Sequence, residues 1–283
     1  MVMGDSSTQL FSVIVHSNKL SDISTTGFLS PYNASQWEAQ SSLSQDPPLA
    51  GERKIMKASV VIPAYNEVKT IEEVIRRVDA VNLDKEIIVV DDASTDGTYD
   101  NLRTISKKYH SVKACFHNNN QGKGAALRTG FSFATGDVII IQDADLELDP
   151  KEYPKLLEPI LAEKTDVVYG SRFLDKSSQN GFSVHYMANR FLTSLTNAVS
   201  GLKITDMETC YKVFKREILN GISLKSNRFG FEPEFTVKLA KKGIGIYEVP
   251  VSYNARSRSD GKKISWKDGL KAVFCIFWFR LFD

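Results

Sequence analysis

Asp143, Asp145 and Glu147 stand at alternate positions directly after the apolar run Val138-Ile139-Ile140-Ile141-Gln142. Carboxylate oxygens of this kind suit a hard divalent cation, Mg²⁺ or Mn²⁺, which commonly also holds substrate phosphates. The run is apolar on both faces, which predicts a buried parallel strand. Alternate residues of an extended chain share a face, so the three carboxylates are expected to project together just beyond the strand. A strand ending in a solvated acidic turn has the same composition, so these residues alone leave metal binding open. A second acidic pair, Asp91-Asp92, ends the apolar run from Glu86 to Val90. The turn Pro63-Ala64-Tyr65-Asn66-Glu67 ends a third run, Ala58 to Ile62. Open α/β sheets bind ligands at the carboxyl ends of their strands. An edge with two acidic clusters and a turn can hold a nucleoside on one side and a metal-bound diphosphate on the other.

The elements that would position these groups are regular from Lys57 onward. Strands are expected at 58–62, 86–90, 112–117, 138–142 and 166–170. They alternate with helices near 70–80, 99–109, 124–134 and 151–163, the last opened by Asp149-Pro150. This alternation predicts a mainly parallel sheet with helices on both faces. The second half is less regular, with helices at 184–200 and 231–242, a strand at 246–253 and a final amphipathic helix from about Trp266. Gly122-Lys123-Gly124 imitates a dinucleotide fingerprint but lacks the third glycine and follows the wrong strand. A helix start with Lys123 can face phosphate, and it can equally be a plain cap.

Composition removes several function classes. The 283 residues carry a net charge of +2, which gives no electrostatic case for nucleic acid. Cys115, Cys210 and Cys275 lie far apart, with neither zinc spacing nor a disulfide framework, as suits a reducing compartment. No basic segment with an apolar core opens the chain, and no apolar run approaches the roughly 20 residues of a membrane span. Residues 1–56 are Ser-rich and read as a poorly structured arm. Residues 57–265 read as one catalytic domain and 266–283 as a separate C-terminal helix. From Tyr253 onward the chain holds seven basic and three acidic residues beside the run Ala272 to Phe279, which includes three Phe and Trp278. This composition suits an anionic membrane surface, or a helix that closes the core.

Four segments occur in order: Val61 to Glu67, Val90 to Thr98, Asn120 to Gly124 and Gln142 to Asp145. With them the chain resembles a family 2 glycosyltransferase of the GT-A, Rossmann-like fold. Gly170-Ser171-Arg172-Phe173, Thr205 to Lys212, Arg228 to Glu232 and Gly261 to Ile264 are similar to the dolichol-phosphate mannosyltransferase and polyprenyl-phosphate glycosyltransferase branch. The resemblance implies that Pro63, Ala64, Tyr65, Glu67 and Asp92 hold the nucleotide base and ribose, with Lys123, Gln142 and Asp143 also facing the donor. Asp143 and Asp145 would fill the Asp-x-Asp positions, and Asp143, Asp145 and Glu147 would meet the metal. The family often has Gln where Glu147 stands. Arg172, Arg190 and Arg256 would grip the lipid phosphate. Asp206, Glu208, Thr209 and Glu232 would lie near the donor sugar.

The implied reaction is inverting and metal-dependent. It moves mannose or glucose from GDP-mannose or UDP-glucose to dolichyl or polyprenyl phosphate, at the cytoplasmic face of a membrane to which the protein attaches peripherally. A phosphate monoester is already mostly dianionic at neutral pH, so it needs orientation, which arginine forks supply. A saccharide acceptor would instead need a general base. That acceptor and a non-catalytic nucleotide-sugar-binding or membrane-docking module are the competing readings.

Overall fold

A computed structural model describes residues 56–174, 184–255 and 266–283. Seven strands form one sheet in the order β3-β2-β1-β4-β6-β5-β7. They are β1 (Ala58–Ala64), β2 (Lys85–Asp91), β3 (Val112–Phe116), β4 (Val138–Ile141), β5 (Val167–Ser171), β6 (Lys212–Lys215) and β7 (Tyr247–Pro250). The helices are α1 (Ile71–Asp79), α2 (Thr98–Lys108), α3 (Lys123–Ser132), α4 (Tyr153–Leu161), α5 (Val184–Ser200), α6 (Phe231–Lys241) and α7 (Trp266–Leu281). The β1–β2, β1–β4, β2–β3 and β5–β7 pairs are parallel, whereas β6 runs antiparallel to both β4 and β5.

The continuous apolar runs are buried on both faces, as a parallel sheet requires. Along β1, Val60 and Ile62 join one core with Ile71, Val74, Leu102 and Leu156, while Val61 joins the other with Leu127, Phe131 and Phe235. The first core lies under α1, α2 and α4; the second lies under α3, α5, α6 and α7. Helices therefore cover both faces.

Two expectations need correction. The short antiparallel strand β6 was not anticipated, because Lys212 and Lys215 bracket only two apolar residues. Lys212 is nonetheless fully buried: its ammonium donates to the carbonyls of Met207 and Thr209 and sits over the Tyr169 ring. The shared-face argument for the three acids also fails, since β4 stops at Ile141. Leu146 takes a left-handed φ of 62°, and the Glu147 amide folds back onto the Asp145 carboxylate at 3.1 Å. The acids occupy a turn beyond the strand rather than one side of it. The expectation for residues 1–56 lies outside the described residues, apart from Met56.

Candidate active site

Two loops at the carboxyl edge of the sheet are stapled together. The Asn66 amide donates to Ser94 Oγ at 2.8 Å, and the Thr95 amide donates to Asn66 Oδ1 at 2.8 Å. The Glu67 amide donates to Thr98 Oγ1 at 2.9 Å, and the Val68 amide to Asp96 at 3.1 Å. Asn66 and Ala93 both have left-handed backbones, φ 54° and 59°. Strain of this kind persists where surrounding bonds over-determine it, typically in ligand-binding loops. The wall holding Pro63, Ala64, Tyr65 and Glu67 is thus fixed by the loop that follows β2.

Asp92 is buried and occupied. Its carboxylate meets His117 Nδ1 at 2.7 Å and accepts from the amides of Gln121 at 2.9 Å and Gly122 at 2.7 Å. Burial alone would raise its pKa, but the His117 and backbone hydrogen bonds hold it below the usual carboxylate value. Asp92 therefore pins the loop leading into α3. The glycines there serve packing: a Cβ on Gly124 would lie 2.2 Å from Ser226 O, and one on Gly122 2.5 Å from Asn227 O. The Ala125 amide also bonds Asn227 O at 3.0 Å. The first turn of α3 thus leans on the 226–228 loop and is not an open phosphate cradle.

Gln142, fully buried, is satisfied inside the protein. Its carbonyl oxygen accepts from the hydroxyls of Tyr153 and Tyr211, both at 2.9 Å, and its amide donates to Asp143 O at 3.1 Å. It positions Asp143 rather than facing the cleft. Lys123 Nζ stands 2.9 Å from Asp143 Oδ1, 3.0 Å from Glu232 Oε1 and 3.1 Å from Cys210 Sγ. Burial works to raise the Asp143 pKa, but the Lys123 charge and the Cys210 and Lys123 hydrogen bonds bring it below the ordinary value. Glu147 Oε2 accepts from Tyr253 Oη at 2.8 Å, and its carbonyl accepts from the Asn254 amide at 2.9 Å.

Across the site Arg172 forks onto Asp206, with Nε at 2.7 Å and Nη2 at 2.8 Å. Asp206 also accepts from the Arg172 amide at 3.1 Å and from Asn189 at 3.3 Å. Glu248, on β7, holds the amides of Thr205 at 2.7 Å and Asp206 at 3.1 Å. The Arg172 guanidinium lies 5.2 Å from the Tyr253 ring centroid, so Tyr253 links the arginine and the acidic turn. Among the described residues, Glu208 Oε1 and Glu232 Oε2 are buried without a hydrogen-bond partner. Burial first, then the Glu232 charge, pushes the Glu208 carboxyl up to about 8. Burial likewise pulls Lys212 down to about 8 against the pull of Glu232.

The edge thus gathers Asp143, Lys123, Glu232 and Cys210 into one cluster, and Arg172 and Asp206 into a second. Arg190 is exposed on α5, whose neighbouring Asn189 is the side chain that reaches Asp206. Arg256 lies outside the described residues. The sequence places Asn189 on the helix that carries Arg190, and Glu248 and Tyr253 on the strand 246–253, but gives none of them a role. Only the pairing of those elements shows their role.

Among the described residues no three acidic, histidine or cysteine side chains converge as a ready-made metal cage. Mg²⁺ usually takes one or two carboxylates together with water and substrate phosphates, so no such cage is required. Asp143 fits that role: its carboxylate is oxygen-only, kept ionised, and already bears a cation in the Lys123 ammonium.

The family model described as "Glycosyl transferase family 2" matches residues 59–222. The chain is 32% identical over 212 residues to a dolichol-phosphate mannosyltransferase of Pyrococcus furiosus, covering 73% of this chain but only 59% of that relative. It is 29% identical to an undecaprenyl-phosphate mannosyltransferase of Micrococcus luteus, covering 73% of this chain and 87% of that one. Among solved structures, glucosyl-3-phosphoglycerate synthase from Mycobacterium tuberculosis, in complex with Mn²⁺, UDP and phosphoglyceric acid, superposes with a TM-score of 0.60. The two are 20% identical over 81% of this chain and 80% of that one. That likeness concerns the fold.

Proposed function

The chain belongs to glycosyl transferase family 2, and from that premise we propose that it moves mannose or glucose from a nucleotide sugar to polyprenyl phosphate with inversion. The observation that carries this reading is the Arg172–Asp206 fork, beside the acidic turn and bridged to it by Tyr253. The fork engages Nε and Nη2 of the guanidinium, and among the described residues Nη1 has no hydrogen-bond partner, which suits it to orient an anionic acceptor. The stapled 63–68 and 91–98 loops hold the nucleoside. Asp143 and Asp145 hold Mg²⁺ or Mn²⁺, with Glu147 as a further ligand. When bound, the cation would neutralise the departing nucleoside diphosphate. Lys123 adds a second positive charge facing the diphosphate.

The acidic side chains favour a phosphate over a saccharide acceptor. Deprotonating a sugar hydroxyl needs a base poised near neutrality. Asp206 is fully buried and occupied by Arg172, and Glu208, pushed up to about 8, holds its proton at pH 7. A phosphate acceptor needs neither. Its oxygen attacks the anomeric carbon from the face opposite the leaving group.

Similarity to the polyprenyl-phosphate mannosyltransferases supports the lipid acceptor. So does α7, whose exposed Leu270, Phe274, Phe277, Trp278 and Leu281 recur at helical spacing on one side, with Met187 and Phe191 exposed on α5. No described helix is long and apolar enough to cross a membrane. We assign the exposed aromatic side of α7 to the cytoplasmic membrane surface, where it brings the site to its lipid substrate.

The test is a donor screen. The purified chain, Mn²⁺ and phosphorylated polyprenol are incubated with GDP-mannose, UDP-glucose or UDP-GlcNAc, and sugar is counted in the lipid phase. Transfer from GDP-mannose or UDP-glucose is expected. Donor hydrolysis without lipid product would shift the reading to a saccharide acceptor. No transfer and no hydrolysis from any donor would favour a binding module.

A further inference from the structure

Lys123 sits where an activating cation would be expected. Its ammonium is 2.9 Å from Asp143, 3.0 Å from Glu232 and 3.1 Å from the Cys210 thiol, and its side chain is only 14% exposed. A divalent ion on Asp143 and this ammonium would be two like charges on one half-buried carboxylate, its side chain 19% exposed, an arrangement that partly desolvated surroundings penalise. One of them has to move. Lys123 can, because four rotatable carbons carry its charge. Glu232 offers a pivot: Oε1 already holds the ammonium, and among the described residues Oε2 is buried without a hydrogen-bond partner. The neighbouring backbone cannot move with it, since Gly122 and Gly124 are wedged against the 226–228 loop and Asp92 grips the Gly122 amide.

We propose that Lys123 is the resident counter-ion of the cation site: the divalent ion displaces its ammonium from Asp143, and the ammonium swings about Glu232 onto the diphosphate of the donor. This inference rests on the reading of Asp143 as a metal ligand. The exchange makes cation and nucleotide binding mutually supportive. Without nucleotide, the cation must displace an ammonium that then has no new anion. With nucleotide, the diphosphate receives it. Coupling between two ligands is reciprocal, so the cation tightens nucleotide binding by the same factor.

The test is Mn²⁺ affinity of the full chain at pH 8, measured by electron paramagnetic resonance of free Mn²⁺ and by calorimetry, with and without UDP or GDP. Wild type is compared with Lys123→Met, Lys123→Gln and Asp143→Asn, with thermal melts showing which variants fold. Lys123→Gln is one atom shorter but keeps an uncharged N–H donor for Glu232, and so reports even if Lys123→Met unfolds. Without nucleotide, both Lys123 variants are expected to bind Mn²⁺ on the order of tenfold more tightly than wild type, the factor of one charge-assisted hydrogen bond removed. Most of the nucleotide-induced gain in Mn²⁺ affinity should disappear in the same variants. Equal or weaker Mn²⁺ binding in a folded Lys123 variant, with binding abolished by Asp143→Asn, overturns the exchange and leaves the metal reading standing. Mn²⁺ binding that survives Asp143→Asn, or no binding by any form even with nucleotide, overturns both.

Discussion

At the scale of single residues, the site runs on buried charges that depend on one another. Arg172 and Asp206 are the strongest case. Arg172→Lys keeps the charge but loses the fork, and the two residue types are not interchangeable at a bidentate site. Lipid transfer is expected to fall on the order of 100-fold, as for a misplaced orienting group. Donor affinity, measured by calorimetry, should stay within about twofold if this arginine serves the acceptor. Arg172→Ala leaves a buried carboxylate unpaired and is expected to cost about 3–5 kcal/mol of stability, so it is the poorer probe. Glu208 gives a pH prediction. Its carboxyl ordinarily titrates near 4.5 and is pushed up to about 8 in the folded protein. The folded state therefore binds the proton that the unfolded state has lost between these values, and stability falls as pH rises across that window. Its favourable contribution is complete below about 4.5 and gone above about 8. Lys212, pulled down to about 8, acts in the window above that and not within it. Melting curves from about pH 5 to 8 should show Glu208→Gln gaining on wild type as pH rises. A constant gap would mean that Glu208 titrates normally.

At the scale of elements, the first turn of α3 carries a prediction that touches no charged group. Gly124→Ala places a methyl 2.2 Å from Ser226 O, which is backbone and cannot rotate away. Overpacking of this kind costs about 1–3 kcal/mol. The shift should reach Lys123, the preceding residue, so donor affinity is expected to drop with every carboxylate intact. A melt unchanged within about 0.5 kcal/mol would show that the loop yields instead. The same turn shows what the sequence could and could not say. The alternating strands and helices were legible because the centres of β1, β2 and β4, residues 60–62, 87–90 and 138–141, are buried on both faces and therefore apolar. The gathering of their ends at one edge followed from parallel pairing. β6 was not legible, because Lys212 is a core residue whose amine is satisfied by carbonyls, and a four-residue strand bracketed by lysines looks like a loop. The acidic turn misled for a local reason: alternation in sequence implies a shared face only while the chain stays extended, and Leu146 ends that. Asp92 and Gln142 were singled out as donor contacts, yet their hydrogen bonds go to the protein itself. The partners that tell a binding side chain from a positioning one, such as Gly122 for the Asp92 carboxylate and Tyr211 for the Gln142 amide, lie 30 and 69 residues away.

At the scale of the whole molecule, the described chain puts charged chemistry at the carboxyl edge of the sheet and leaves an aromatic face on the helical layer of α5, α6 and α7. Phe274, Phe277 and Trp278 are 63%, 42% and 45% exposed, while Ala272, Ile276 and Phe279 on the other side of α7 are at most 5% exposed. A helix that merely closed the core would not carry this second apolar side, and an apolar patch of large residues on one face calls for a partner. If the partner is an anionic bilayer, burial of each aromatic contributes roughly 1.5–3 kcal/mol. Phe274→Ser together with Trp278→Ser should then lower partitioning onto phosphatidylglycerol vesicles on the order of 100-fold or more. Neither side chain supports the core, so the melting temperature should stay close to that of wild type. Raised salt should weaken wild-type binding only in part, since the apolar contribution is not screened. Transfer to a short, water-soluble polyprenyl phosphate should persist in the double variant, while transfer to long-chain acceptor in vesicles falls. Equal loss with both acceptors would place the aromatic face in the catalytic machinery, and unchanged vesicle binding would assign it to a protein partner.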